Sequence, residues 1–200
     1  MWCTPVLLEN EHVRLEPLGL QHHGELHALD AEAHADESVW RFAPMDADGG
    51  PFARWLDLWF AAALPVAQSG REVIFAVRDQ RSGTLVGSTR YLNLAEPHRR
   101  VEIGGTWYVA RGRGTHVNPA CKLLLLSHSF ERLGCVRTEL KCDLRNLPSQ
   151  RGIEKLGAKR EGVFRKHMVL GDGYIRDTVY YSILDEEWPT VRAGLLARLA

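Results

Sequence analysis

The sequence predicts a single mixed α/β domain spanning residues 1–200. Two observations support this. A length of 200 residues with 45% hydrophobic content suits one core and is short for two. Segments with strand period and helix period also alternate along the chain, with no internal repeat, linker or low-complexity stretch between them.

Residues 13–17 alternate apolar Val13 and Leu15 with polar Arg14 and Glu16, which predicts a first strand. Residues 20–33 predict a helix with Leu26 and Leu29 on one face. Residues 43–50 read as a loop, after which Pro51 suits the first position of a helix. Phe52, Trp55, Leu56, Trp59, Phe60 and Ala63 recur at helical spacing, a stripe expected in the core or on the wall of a cleft. Residues 72–79 and 85–94 predict a hairpin around Ser82-Gly83. Residues 101–109 predict a third strand, in which Gly104-Gly105 marks a bulge or a close approach to the backbone.

A loop of small and basic residues, 110–117, follows. Asn118-Pro119 then predicts a helix start, and Gly134 a helix end. Residues 136–142 predict a strand, and Pro148 or Ser149 opens a short helix closed by Gly157. Residues 159–170 and 174–183 form a hairpin around Gly171-Asp172-Gly173. Asp185 caps a last helix.

Composition narrows the function classes. Lys plus Arg and Asp plus Glu number 25 each, so the formal net charge is zero, and no nucleic-acid or membrane-surface partner is expected. Cys3, Cys121, Cys135 and Cys142 form no C-x-x-C pair, which predicts buried, reduced thiols in a cytoplasmic protein. The opening residues lack a basic region followed by an apolar run, so no secretion signal is expected. His22, His23, Glu25 and His27 do not match a zinc-helix spacing. They read as a solvated helix face, with no metal site expected.

The loop at 110–117 carries the chemistry. Between a strand and a helix start, successive N–H groups converge and the helix dipole adds positive character, which suits a phosphate. Gly112 and Gly114 admit close approach, and Arg111 and Arg113 add charge. The loop alone is equally a connector with two solvated arginines.

The stretch V-E-I-G-G-T-W-Y, the loop R-G-R-G-T-H and the helix ending S-F-E-R-L-G-C together resemble the cofactor-binding core of the GNAT superfamily of N-acetyltransferases. Residues 143–165 and the ending Y-Y-S-I-L-D-E-E-W are similar to its ribosomal-protein N-terminal acetyltransferase branch. The resemblance covers roughly residues 70–190. It implies a mixed, mostly antiparallel sheet flanked by helices, with a splayed strand pair that holds acetyl-CoA as co-substrate. It implies pyrophosphate binding by Arg111, Gly112, Arg113, Gly114, Thr115, His116 and Val117, and pantetheine pairing along Trp107, Tyr108 and Val109. His116 departs from the small residue usual at its place.

The resemblance also points to Glu102 as general base. The other reading of Glu102 is a surface residue paired with an arginine such as Arg100. The tyrosine that often serves as acid would fall at position 153, which is Ile153. Ser149, three residues after Asn146, takes the donor place of the ribosomal branch, and Asn146 would contact pantetheine. The read-alone alternatives are a helix N-cap for Ser149 and an Asx turn for Asn146. One of Tyr180 and Tyr181 is expected in the core and the other in the acceptor cleft, with Trp40, Arg41 and Trp55.

The implied reaction is attack of a primary amine, of a protein N-terminus or a small molecule, on the thioester. A homodimer is the family's common habit. The rival readings are a non-catalytic acyl-CoA-binding module and an aminoglycoside- or polyamine-type acetyltransferase. The latter would want more acidic groups than Asp46, Asp48 and Asp57.

Overall fold

A computed structural model describes residues 2–29, 52–170 and 173–200, with the backbone alone at 52–55. Eight strands form one sheet in the order β1-β2-β3-β4-β5-β6-β8-β7. They are β1 (Leu8–Glu9), β2 (Val13–Pro17), β3 (Val73–Asp79), β4 (Leu85–Ala95), β5 (Arg100–Tyr108), β6 (Arg137–Asp143), β7 (Lys159–Val169) and β8 (Ile175–Leu184). All neighbours pair antiparallel except β5 and β6. The helices are α1 (His23–His27), α2 (Phe52–Gln68), α3 (Val117–Ser127), α4 (Leu147–Glu154) and α5 (Trp188–Ala197).

Alternation along each strand assigns these helices to faces. On β4, Arg90 lies over the Trp59 ring of α2, while its neighbour Tyr91 donates its hydroxyl hydrogen to the Leu125 carbonyl of α3. Helix α2 therefore covers one face and α3 the other. Helix α5 joins α3, since Trp188 stacks on Phe130 just beyond α3, with ring centroids 5.7 Å apart. Helix α4 lies on that face too, where the fully buried Tyr181 donates to Glu154 at 3.1 Å. Tyr181 is thus the core tyrosine, and Tyr180 points to the other face.

Several expectations shift. The described part of the predicted helix at 20–33 is a single 3-10 turn, Leu20–His22, followed by α1. The rest of that segment, Pro51, and the Gly171-Asp172 part of the last hairpin turn lie outside the described residues. Leu56, Trp59, Phe60 and Ala63 of the aromatic stripe are buried, as the spacing predicts. The histidine cluster is not one solvated face. His22 is buried, with Nε2 2.9 Å from Glu16 and Nδ1 accepting the Gly19 N–H, because the 3-10 turn folds it inward. His23 instead meets Asp57 at 3.0 Å, and Glu25 holds Arg78 at 2.7 Å. Strand β1 has too few residues to show a period and was not anticipated. The last helix begins with a 3-10 turn at Asp185–Glu187, capped at Leu184, not at Asp185.

The glycine pair does mark a bulge. Gly105 has φ +54, and the pairing of β4 with β5 slips between Ser88 and Arg90. A Cβ at Gly105 would meet Arg90 Nε at 2.5 Å. Gly105→Ala is expected to lower unfolding free energy by about 1–3 kcal/mol. Urea denaturation measures this, and an unchanged midpoint would show that the bulge tolerates a side chain.

Candidate active site

Strands β5 and β6 pair in parallel at three positions only, ending with Glu102 opposite Glu139. Beyond that pair β5 continues to Tyr108 and β6 to Asp143 without pairing with each other. The two strands open a cleft with Glu102 at its vertex. Buried groups here come from both faces of the sheet.

On the face shared with α2, Glu102 is 1% exposed. Its Oε2 accepts from Asn93 Nδ2 at 2.8 Å and meets Lys141 Nζ at 3.0 Å. Its Oε1 lies toward Gly104, 3.1 Å from where a Cβ would stand. Arg100 is not its partner: it stands two residues back on β5, opposite Arg137, and bonds Glu139 at 2.8 Å. Beside this network is a cavity of about 640 Å³ lined by Asn93, Arg100, Glu139, Glu161, Phe164 and Tyr180, among others. Arg137 bonds Glu139 at 3.0 Å and Glu161 at 2.6 Å. The Arg137 bond pulls the Glu161 carboxyl down to about 2.

His167 was not anticipated. A break in β7–β8 register between Phe164 and Met168, with Lys166 at φ +49, sets it 5.6 Å from the Tyr180 ring. Its Nδ1 is 3.1 Å from Thr178 Oγ1. Burial, then the charges of Lys141 and Arg176, lower its pKa. Of the other predicted cleft residues, Trp40, Arg41, Asp46 and Asp48 lie outside the described residues, as does the Trp55 side chain.

On the opposite face, Ala110–Gly112 makes one 3-10 turn and Gly114 takes φ +69. Helix α3 starts at Val117 with His116 as N-cap, two residues earlier than Asn118-Pro119 suggested. Pro119 still fits, because first-turn N–H groups have no partner within the helix. The Val117 N–H is taken by Thr115 Oγ1 at 3.2 Å. Among the described residues, the backbone N–H groups of Gly114, Thr115 and His116 find no acceptor. Three successive donors at a helix start suit a phosphate group.

The loop side chains point elsewhere. Arg111 reaches the Leu85 carbonyl at 2.8 Å, and Arg113 Nε donates to the Tyr108 carbonyl at 2.8 Å. His116 Nε2 lies 3.0 Å from Asp79 at the end of β3, so its imidazole is tethered away from the loop's donors. Against the push of burial, bonds from the Arg81 N–H, His116 and Ser82 hold the Asp79 pKa low. Trp107 and Tyr108 pair across to Ser88 and Gly87 of β4. The Val109 N–H donates to Val86 and its carbonyl accepts from Gly112, both at 2.9 Å, so both its backbone groups are bonded within the chain.

Asn146, not Pro148 or Ser149, caps α4: its side chain accepts the Ser149 N–H at 3.0 Å. The Ser149 hydroxyl lies near the Cys142 thiol of β6, whose pKa burial raises and the nearby hydroxyl lowers. Ile153, where the acid tyrosine would stand, is buried. All four cysteines are buried and outside any disulfide. Among the described residues no helix is long and apolar enough to cross a membrane.

Residues 12–159 match the family model described as an acetyltransferase (GNAT) domain. The chain belongs to the GNAT acetyltransferase family. A solved GCN5-related N-acetyltransferase from Brucella melitensis is 31% identical with TM-score 0.86, covering 100% of this chain and 88% of that one. YnaD of Bacillus subtilis (strain 168), named an uncharacterised N-acetyltransferase, is 38% identical over 64 residues, 32% of this chain and 37% of its own. YdaF of the same strain, named provisionally a ribosomal N-acetyltransferase, is 31% identical over 106 residues, 53% of this chain and 57% of its own. The matched stretches thus span less than two thirds of either curated relative.

Gly114 sits at a positive φ with open space beyond its Cα. Gly114→Val in this GNAT protein is expected to weaken CoA binding at least tenfold, by distorting the donors, while the melting temperature falls only a few degrees. Isothermal titration measures the first and calorimetry the second. Unchanged affinity would remove the loop from the site.

Proposed function

We propose that this GNAT protein transfers the acetyl group of acetyl-CoA to a primary amine. One observation carries the reading: three unbonded N–H groups at the start of α3 stand beside a strand pair that parts at a buried carboxylate. Acetyl-CoA would supply an activated acyl group. The N–H groups of Gly114, Thr115 and His116, aided by the α3 dipole, would hold its pyrophosphate. Arg111 and Arg113 would add positive charge at the rim, and Gly112 and Val117 would shape the turn. The edge of β5 at Trp107 and Tyr108 would hold the pantetheine arm, Val109 serving as the anchor of that strand to β4.

Glu102 lies on the α2 face, next to Asn93 of the cavity by which an acceptor would enter. There it would take a proton from the incoming ammonium, directly or through water, since an alkyl amine is mostly protonated at neutral pH. Asn93 and Lys141 fix its orientation. Ser149, on the other face, would bond the cofactor's sulfur, with Asn146 holding its backbone in place. The name of YdaF and the resemblance in the C-terminal third favour a protein N-terminus as acceptor. The single domain over residues 1–200 would carry both the CoA loop and the carboxylate.

The test is thiol release from acetyl-CoA with a panel of N-terminal peptides, polyamines and aminoglycosides. Release with peptides is expected, with kcat reduced about 10²–10⁴-fold in Glu102→Gln and less in Ser149→Ala, at little change in CoA affinity. CoA binding without release for any acceptor would instead support a non-catalytic binding module.

A further inference from the structure

Lys122 is a buried amine with no part in the transfer proposed for Glu102 and Ser149. It stands on α3 and is 5% exposed. Its Nζ donates to Thr106 Oγ1 at 3.1 Å, and that hydroxyl is also 2.8 Å from Thr89 Oγ1. No carboxylate among the described residues comes within salt-bridge distance of it. Burial pushes its pKa down to about 8, and the neighbouring Cys121 works the other way. A buried ammonium normally has a counter-charge, because desolvation is costly. Two hydroxyls do not provide one.

The place of this amine is informative. Thr106 belongs to the part of β5 that has already left β6. Its side chain faces α3, opposite to Glu102. Ser149 stands on α4, which covers the same face beside β6. The cleft is therefore flanked on one face by the Glu102 carboxylate and on the other by the Ser149 hydroxyl and the Lys122 amine. A group carrying negative charge on sulfur would complete the set on the second face.

We propose that Lys122 recognises the sulfur end of CoA and provides the positive charge that a CoA thiolate requires. The inference rests on acetyl-CoA being the ligand of this cleft. It assigns to Lys122 the anion-stabilising part of the role that the buried Ile153 cannot play, alongside the hydroxyl of Ser149.

The experiment compares CoA with desulfo-CoA, which has hydrogen in place of the thiol, by isothermal titration at about pH 8, between the values of the amine and the thiol. At that pH a fraction of an alkyl thiol with pKa about 8.5 is ionised. The wild-type protein is expected to bind CoA about tenfold more tightly than desulfo-CoA, the worth of one charge-assisted contact. Lys122→Met is expected to bring the ratio to about one while desulfo-CoA affinity changes by less than about threefold. Lys122→Gln, which keeps a donor and loses the charge, gives the same readout if the methionine variant does not fold. A variant that keeps the preference, or loses both ligands equally, overturns the assignment, as does equal binding of both ligands by the wild type. Wild-type protein that binds neither ligand overturns the acetyl-CoA reading itself, and this inference with it.

Discussion

The parting of β5 from β6 is the constraint on which the site depends. A parallel pair would normally continue its evenly spaced bonds to the strand ends. Here pairing stops at Glu102 opposite Glu139, while β5 remains tied to β4 as far as Tyr108. The left-handed turn of β5 at Gly105 accompanies the change of direction. Backbone that has lost a neighbour retains its polar groups, and these need partners. Arg113 already caps one of them, the Tyr108 carbonyl. The cleft is thus a gap in the sheet with unmet hydrogen-bonding capacity along its edge.

Charge is distributed around that gap with the sheet as divider. The face under α2 carries a dense network: Glu102 with Lys141, Arg100 with Glu139, and Arg137 between Glu139 and Glu161. Each of these carboxylates has a cation within hydrogen-bond distance, which offsets the cost of its burial. The face under α3 brings together apolar side chains, hydroxyls, buried thiols, Lys122 and, on α4, the Glu154 carboxylate that Tyr181 bonds. A carboxylate on the acceptor side and an amine on the other would give an acyl-transfer site its proton acceptor and its anion stabiliser without letting the two neutralise each other. Sequence neighbours Ile103 and Glu102 end on different faces because strand geometry alternates them.

Much of the fold was legible. The strand and helix periods, the glycine pair and the loop before α3 all lie within short windows where local rules operate. The strand ends moved by a residue or so, within the usual ambiguity of boundaries. The caps were less legible. Asn146 rather than Ser149 caps α4, and His116 rather than Asn118 caps α3. Lys122 had a signal that passed unnoticed: it falls three and four residues before Leu125 and Leu126, on the buried stripe of α3. A lysine there is costly enough to need an explanation.

The order of elements, the single α/β domain and the glycine-containing loop at a helix start were determined by the sequence alone, because each follows from residues close together in the chain. The partners of the charged groups were decided only by tertiary structure. His116 meets Asp79 across 37 positions, Glu102 meets Lys141 rather than Arg100, and His22 turns inward to Glu16. Such pairs depend on strand register and on which face a helix covers, and a one-residue slip in either would exchange every partner. The loop remains the clearest local feature of the chain, and which of its N–H groups are left without an acceptor depended on the turns that the fold closes around it.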